Sequence, residues 1–234
     1  MNLYIKLIAA VAPAIVLAVL MIRRDKVRPE PIGWLLGAAC LGVFSGFCVI
    51  CLALLGWPQF EVTGYGTAIL NSFVGAAFPE ELCKLGMLGI LLKYCKHFDE
   101  YIDGIVYSVC IGMGFAGFEN IQYLLGEEEW LVMGISRALL SVPAHYFFAV
   151  AMGAFFSLAH FDKRNEKLFM IMAIGVPIFL HGLYDTLCFS IGINEEFAAA
   201  ILMAFFVCFK WTRKYSKQLM ESMLKLVSYG YPTK

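Results

Sequence analysis

Residues 67–92 read TAILNSFVGAAFPEELCKLGMLGILL. These 26 residues hold three charges, Glu80, Glu81 and Lys84, in an otherwise largely apolar run. A helix of ~20 apolar residues crosses ~30 Å of hydrocarbon, so the stretch is long enough to span a bilayer. Each charge at the centre of such a span costs at least ~2.5–3.5 kcal/mol. A chain that keeps three of them within five positions must use them, either to hold helices together or for chemistry.

The rest of the chain has the same apolar character. Of 234 residues, 61% are hydrophobic and 15% charged, against ~45–50% and ~25% in soluble domains. The mean hydropathy is +0.76. A soluble domain of this size could not cover so much apolar surface. An ordinary cytosolic enzyme, a disordered chain and a secreted disulfide scaffold are excluded. The 18 basic and 18 acidic residues cancel, and no concentrated basic face points to a nucleic-acid partner. The eight cysteines fall mostly inside apolar runs and read as small apolar side chains.

Working outward from 67–92, six more candidate spans emerge at 3–22, 33–56, 103–125, 131–159, 168–191 and 196–212. The last is the weakest, with an uninterrupted apolar core from Phe197 to Phe209 only. The first is too long for a usual signal-peptide core and reads as an uncleaved span. Basic residues occupy alternate connections. Arg23, Arg24, Lys26 and Arg28 lie in the first, Lys93 and Lys96 in the third, and Lys163, Arg164 and Lys167 in the fifth. Lys210, Arg213, Lys214, Lys217, Lys225 and Lys234 fill the C-terminal end. The other connections carry Glu61, Glu127, Glu128, Glu129, Glu195 and Glu196 and no basic residue. By the positive-inside rule the N-terminus is outside and the C-terminus cytoplasmic. The expected fold is all-α: a polytopic membrane bundle of about seven helices. Residues 1–212 form one transmembrane domain with a polar core inside 67–191, and 213–234 form a basic cytoplasmic tail. No internal repeat is visible, which weighs against an inverted-repeat transporter.

Spans three to six carry Glu80, Glu81, Lys84, Glu119, Arg137, His145, His181 and Asp185. Ionisable residues at this depth face the bundle interior and mark function by default. Glu80 and Lys84 share one helix face, as do His181 and Asp185, each pair being four residues apart. Counting inward at 1.5 Å per residue puts Glu80, His145 and His181 ~15–21 Å deep, with Glu119, Arg137 and Asp185 shallower at ~9 Å. Two layers are expected, with Arg137 pairing with Glu119 in the outer one. Pro79, Pro143 and Pro177 each lie within about one turn of a midplane group. Each removes a backbone N–H, which is tolerated at membrane depth where protein or a wet cavity satisfies the freed carbonyls.

Two carboxylates and two imidazoles at membrane depth can activate water and polarise a carbonyl. No nucleophilic-serine motif, HExxH or paired GxGD aspartates compete with that chemistry. Gly112, Gly114 and Gly117 spell GxGxxG, but inside an apolar helix the spacing serves close helix packing, not a dinucleotide. Gly75, Gly86 and Gly89 read as packing glycines too.

Four motifs in chain order then carry a resemblance. Glu80-Glu81-x-x-Lys84, Phe115-x-x-x-Glu119-Asn120, Arg137 with His145 downstream, and His181-x-x-x-Asp185 resemble the PrsW family of intramembrane proteases. That family is related to the type II CAAX prenyl endopeptidases and the bacteriocin-immunity membrane proteins. Lys84, Glu119 and Asp185 depart from the prenyl endopeptidase pattern and speak against a prenyl-protein substrate. The resemblance covers about half the chain. It implies cleavage of a single-span, anti-sigma-factor-like membrane protein near the extracytoplasmic side of a bacterial cytoplasmic membrane. It also implies catalytic roles for Glu80, Glu81, His145 and His181. Glu80 would activate water with support from Glu81, and the histidines would polarise the carbonyl or hold the water. Asp185 would orient His181, Asn120 would contact substrate or oxyanion, and Lys84, Glu119 and Arg137 would support the set.

Glu80, Glu81, His145, His181 and Asp185 could also ligate zinc with one position open. No helix carries two histidines of this set, so a metal-free glutamate mechanism with no cofactor is the favoured expectation. The alternatives are a proton- or ion-coupled transporter, which also needs paired intramembrane carboxylates, and a non-enzymatic scaffold on the same fold.

Overall fold

The computed structural model describes residues 3–25, 28–126, 128–191, 193 and 195–228. Lys26, Glu127 and Lys234 of the charge pattern lie outside the described residues, as do the side chains of Glu195 and Glu196. The described residues hold helices and no strand. They form seven continuous rods: α1 (Leu3–Ile22), α2 (Ile32–Leu54), α3 (65–94), α4 (Asp103–Gly126), α5 (Trp130–Phe161), α6 (Glu166–Ile191) and α7 (Glu195–Ser228). Of these, α1, α2, α4, α5 and α6 are each long and apolar enough to cross a membrane. The chain is therefore a multi-pass helical membrane protein.

Two rods are not uniform α-helix. α3 consists of an α segment Tyr65–Leu70, a π segment Asn71–Ala77 and an α segment Phe78–Tyr94. α5 begins as α-helix to Ser136, widens to a π segment at Arg137–Ser141 and continues as Val142–Phe161. Each π segment ends just before a proline near a site residue, Pro79 or Pro143. The cause is visible in α3. Phe78 N–H reaches back five residues to the Phe73 carbonyl. Pro79 has no N–H to continue either register. The Val74 carbonyl instead accepts from Trp57 Nε1 at 2.8 Å, and the Gly75 carbonyl from Gln59 Nε2 at 3.1 Å. The Phe60 amide donates to Asn71 Oδ1 at 3.0 Å. The α2–α3 connection thus satisfies the carbonyls that the proline leaves free, as irregular backbone in a membrane requires. Pro177 lies within continuous α6 and opens no comparable segment.

α4 is the central rod, buried along most of its length, because small residues let its neighbours approach. A Cβ on Gly114 would stand 2.1 Å from the Ala39 carbonyl oxygen of α2. On α5, a Cβ on Gly153 would stand 2.3 Å from the Gly104 carbonyl oxygen of α4. The GxGxxG spacing is accordingly a packing seam. Gly86 and Gly89 are different: a Cβ on either would meet nothing within 4 Å, so they are not packing positions. The eight cysteines are free, including Cys48 and Cys51, which share the CxxC spacing on α2.

The expected boundary at 212 is not a structural one. Residues 195–228 contain no Gly or Pro, and α7 runs through without a break. Its C-terminal half docks, with Met220 and Met223 buried in the main core. Arg24 Nη1 lies 3.4 Å from the Met220 sulfur.

Candidate active site

The eight intramembrane polar residues converge. α3 supplies Glu80, Glu81 and Lys84, α4 supplies Glu119, α5 supplies Arg137 and His145, and α6 supplies His181 and Asp185. Lys84 is the hub. Its Nζ donates to Glu81 Oε1 at 2.8 Å and to Glu80 Oε2 at 3.4 Å, and lies 3.4 Å from His145 Nδ1. An ammonium has three protons and no acceptor, so these partners use all three. The same nitrogen sits over the Phe115 ring, 3.8 Å from its centre. One buried cation thereby holds two carboxylates and an imidazole together, which a lone buried charge could not survive.

Each histidine is pinned at both nitrogens. His145 faces Lys84 through Nδ1 and Glu119 Oε2 through Nε2, at 3.0 Å. With Lys84 donating, the assigned tautomer carries its proton on Nε2 and donates to Glu119. His181 Nδ1 is 2.8 Å from Glu81 Oε1, and its Nε2 is 3.3 Å from Asp185 Oδ2 and 3.9 Å from Glu80 Oε2. The two imidazoles lie 5.1 Å apart, nearly perpendicular. Phe148 stacks on His181 at 5.0 Å.

The expected outer pair is present. Arg137 Nη2 donates to Glu119 Oε2 at 2.6 Å, its Nε donates to Asn120 Oδ1 at 2.6 Å, and its guanidinium lies over the Tyr123 ring. Two separate layers are not what forms. Glu119 bridges Arg137 to His145, and Asp185 reaches His181, so both sets make one network. Depth counted along each helix misses this, because side chains several ångströms long reach between levels. Asn120 also departs from expectation. It is 1% exposed, and its Nδ2 donates to the Ala10 carbonyl at 3.0 Å while its Oδ1 is held by Arg137. Its amide is used at both ends, and it positions Arg137 against α1 without facing substrate space.

That space is a cavity of about 520 Å³. Glu80, Glu119, Arg137, His145, His181 and Asp185 line it, and Glu81, Lys84 and Asn120 do not. Of the glutamate pair, Glu80 therefore faces the cavity and Glu81 is locked beneath it. Asn71, Gln59 and Tyr184 complete the wall. Gln59 and Tyr184 had no sequence signal. Asn71, an amide inside an apolar span, was a visible one.

A metal also fits the donor set. One ligand atom each from Glu80, Glu81, His145 and His181 lies within 4.8 Å of the others. Two carboxylates and two imidazoles are competent zinc ligands. Helix convergence supplies what no single helix provides. Lys84 stands among the same groups and competes with a metal for them.

The family profile described as PrsW family intramembrane metalloprotease matches residues 30–211. Curated relatives that bear the name Protease PrsW include those of three species. That of Clostridioides difficile (strain 630) is 36% identical over 190 residues, covering 79% of this chain and 78% of the relative. That of Bacillus subtilis (strain 168) is 35% identical over 179 residues, covering 76% and 79%. That of Geobacillus kaustophilus is 33% identical over 182 residues, covering 76% and 77%. No solved structure matches the chain. With the match spanning the helices that build the cavity, the chain belongs to the PrsW family of intramembrane proteases.

Proposed function

We propose that this protein hydrolyses a peptide bond of a single-span, anti-sigma-factor-like membrane protein, near the extracytoplasmic side of a bacterial cytoplasmic membrane, with Glu80 as general base. The observation that carries the base assignment is the asymmetry of the glutamate pair. Glu80 lines the cavity, while Glu81 is tied to Lys84 and His181 at 2.8 Å each. Glu80 takes a proton from water as the water oxygen attacks the scissile carbonyl carbon. His145 and His181 line the cavity and stabilise the oxyanion by turning an imidazole N–H to it from their carboxylate partners. The proton on Glu80 then passes to the leaving amide nitrogen as the C–N bond breaks, and the carboxylate is restored. Asp185 and Glu81 hold His181, and Glu119 holds His145. They are positioning residues.

A second reading is favoured by the 4.8 Å grouping of the four donors and by the word metalloprotease in the family's description. In it Glu80, His145 and His181 would hold zinc, which when bound supplies Lewis acidity and lowers the pKa of water. The metal-free reading is kept because Lys84 already neutralises the carboxylates from within the cluster. The test is cleavage of a labelled single-span substrate by detergent-purified protein stripped of metal with a strong chelator, the stripping confirmed by elemental analysis. Retained cleavage by wild type, together with its loss in Glu80→Gln, is the expected result. Activity lost on stripping and restored by stoichiometric zinc would overturn the metal-free mechanism. Proton-coupled uptake in vesicles with no cleavage would overturn the protease reading.

A further inference from the structure

A second buried acidic group lies at the other end of the bundle. Asp25 follows the end of α1, Glu30 precedes α2, and Asp103 opens α4. One carboxylate oxygen of each lies within 4.8 Å of the others. Asp103 is at the opposite end of α4 from Glu119, about 24 Å away at 1.5 Å per residue. Asp25, Glu30 and Asp103 are 4%, 9% and 0% exposed.

Some of these oxygens are engaged. Tyr107 donates its hydroxyl proton to Glu30 Oε2. Asp103 Oδ2 accepts the amides of Asp99 at 2.9 Å and Glu100 at 2.6 Å. Both Asp25 oxygens and Asp103 Oδ1 have no hydrogen-bond partner among the described residues. The nearby cation, Arg28, is spent elsewhere, on Asp99 at 3.2 Å and Glu100 at 3.5 Å. Among the described residues none of the three carboxylates has a cationic partner within salt-bridge distance. Buried carboxylates are normally hydrogen-bonded, paired or metal-bound.

We propose that Asp25, Glu30 and Asp103 bind one hard divalent cation of the size of Ca²⁺. The donors are all oxygens, which selects hard cations over zinc or copper. Two oxygens on opposite sides of Ca²⁺ stand ~4.6–5.2 Å apart, twice its usual bond length, whereas around Mg²⁺ they stand only ~4.0–4.2 Å apart. The three donors all lie within 4.8 Å of one another, inside the span that the larger ion can bridge. The oxygens of Asp25 and Asp103 that have no partner among the described residues are open to the ion, and Tyr107 holds Glu30 by its Oε2. The bound ion joins the α1–α2 connection to the first turn of α4, the helix that carries Glu119. The site is independent of the protease chemistry.

Full-length protein in detergent is dialysed to equilibrium against ⁴⁵Ca²⁺, and its thermal unfolding is followed with and without Ca²⁺. Wild type is expected to take up about one ion per chain in a saturable manner and to unfold at a higher temperature with Ca²⁺. Asp25→Asn is isosteric and removes one of the crowded charges. It is expected to fold at least as well as metal-free wild type while weakening Ca²⁺ binding by tenfold or more. Glu81→Gln, in the other cluster, controls for binding there and is expected to bind Ca²⁺ as wild type does. No saturable uptake at millimolar Ca²⁺ would overturn the proposal. So would undiminished uptake by Asp25→Asn, or uptake lost in Glu81→Gln instead. An Asp25→Asn variant that is merely more stable, with wild type indifferent to Ca²⁺, would make the group a protonated acid cluster.

Discussion

Replacing Arg137 by Ala removes the guanidinium that partners Glu119 at 2.6 Å and Asn120 at 2.6 Å. The two charged side chains are 11% and 18% exposed, so water cannot take over the Arg137 role. Breaking a buried ion pair from one side costs about 3–5 kcal/mol, because the remaining charge is stranded. The stranded Asn120 oxygen adds about 1 kcal/mol or more, while the surviving Glu119–His145 contact at 3.0 Å offsets part of the loss. A net loss of about 3–4 kcal/mol is expected for Arg137→Ala. That is a large share of the ~5–15 kcal/mol by which domains are stable. At ~2–4 °C per kcal/mol for a chain of this size, unfolding should come roughly 10 °C earlier. The double variant Glu119→Gln/Arg137→Ala carries no stranded charge and should recover ~1–2 kcal/mol of the loss. Glu80→Gln is the contrast. Its partners stand at 3.4 and 3.9 Å, so it should unfold within a few degrees of wild type and yet cleave at least ~100-fold more slowly. The assay is thermal unfolding in detergent, paired with immunoblotting of membrane fractions and cleavage per folded molecule. An Arg137→Ala protein that unfolds within 2 °C of wild type, as an order of measurement error, would refute the stranded-charge account. Equal destabilisation by Glu80→Gln would make Glu80 structural as well.

Further outcomes follow from other parts of the molecule. A periplasmic-type reporter fused after Glu128 should be active and one fused after Lys163 silent; the opposite pattern would invert the orientation. Gly153→Val should cost about 1–3 kcal/mol or prevent folding, since even a Cβ there would stand 2.3 Å from the Gly104 carbonyl oxygen; Gly89→Val, with nothing within 4 Å, should leave membrane abundance unchanged. Asn120→Ala should lower thermal stability but keep cleavage per folded molecule within about threefold, because its amide is used internally at both ends; a hundredfold loss per folded molecule would return it to the oxyanion.

The helical membrane class and the identity of the polar set were legible before any coordinates, because each reflects a cost paid along one helix. Apolar length is set by bilayer thickness, and an intramembrane charge stands out against that background. His181 and Asp185, one turn apart, meet as their spacing implies. The Glu119–Arg137 pair was also anticipated, since each charge needed a partner at its own depth. Other features had no local signature. The π segment in α3 depends on Trp57 and Gln59, which donate to carbonyls 16 and 17 residues away. Residues 213–234 were expected to be a basic cytoplasmic tail, yet Met220 and Met223 bury against the core; the helical spacing of Leu219, Met220, Met223 and Leu224 marks an apolar face but not what it docks against.

By itself the sequence determined which residues had to be buried. Eight ionisable groups on four apolar spans cannot face lipid, so they must meet inside a bundle. Only the tertiary structure decided how they meet. The distinction between Glu80 and Glu81, adjacent on one helix, comes from Lys84 and His181, whose nitrogens fall on Glu81 and leave Glu80 at the cavity wall. Asn120 became a strut because α1 happens to offer the Ala10 carbonyl at 3.0 Å. The physical reason is common to both. Burial is a property of each residue's own transfer cost and is written along the chain. The choice of partner depends on which helices approach one another, α6 against α3 for Glu81 and α1 against α4 for Asn120, and no single helix carries that information.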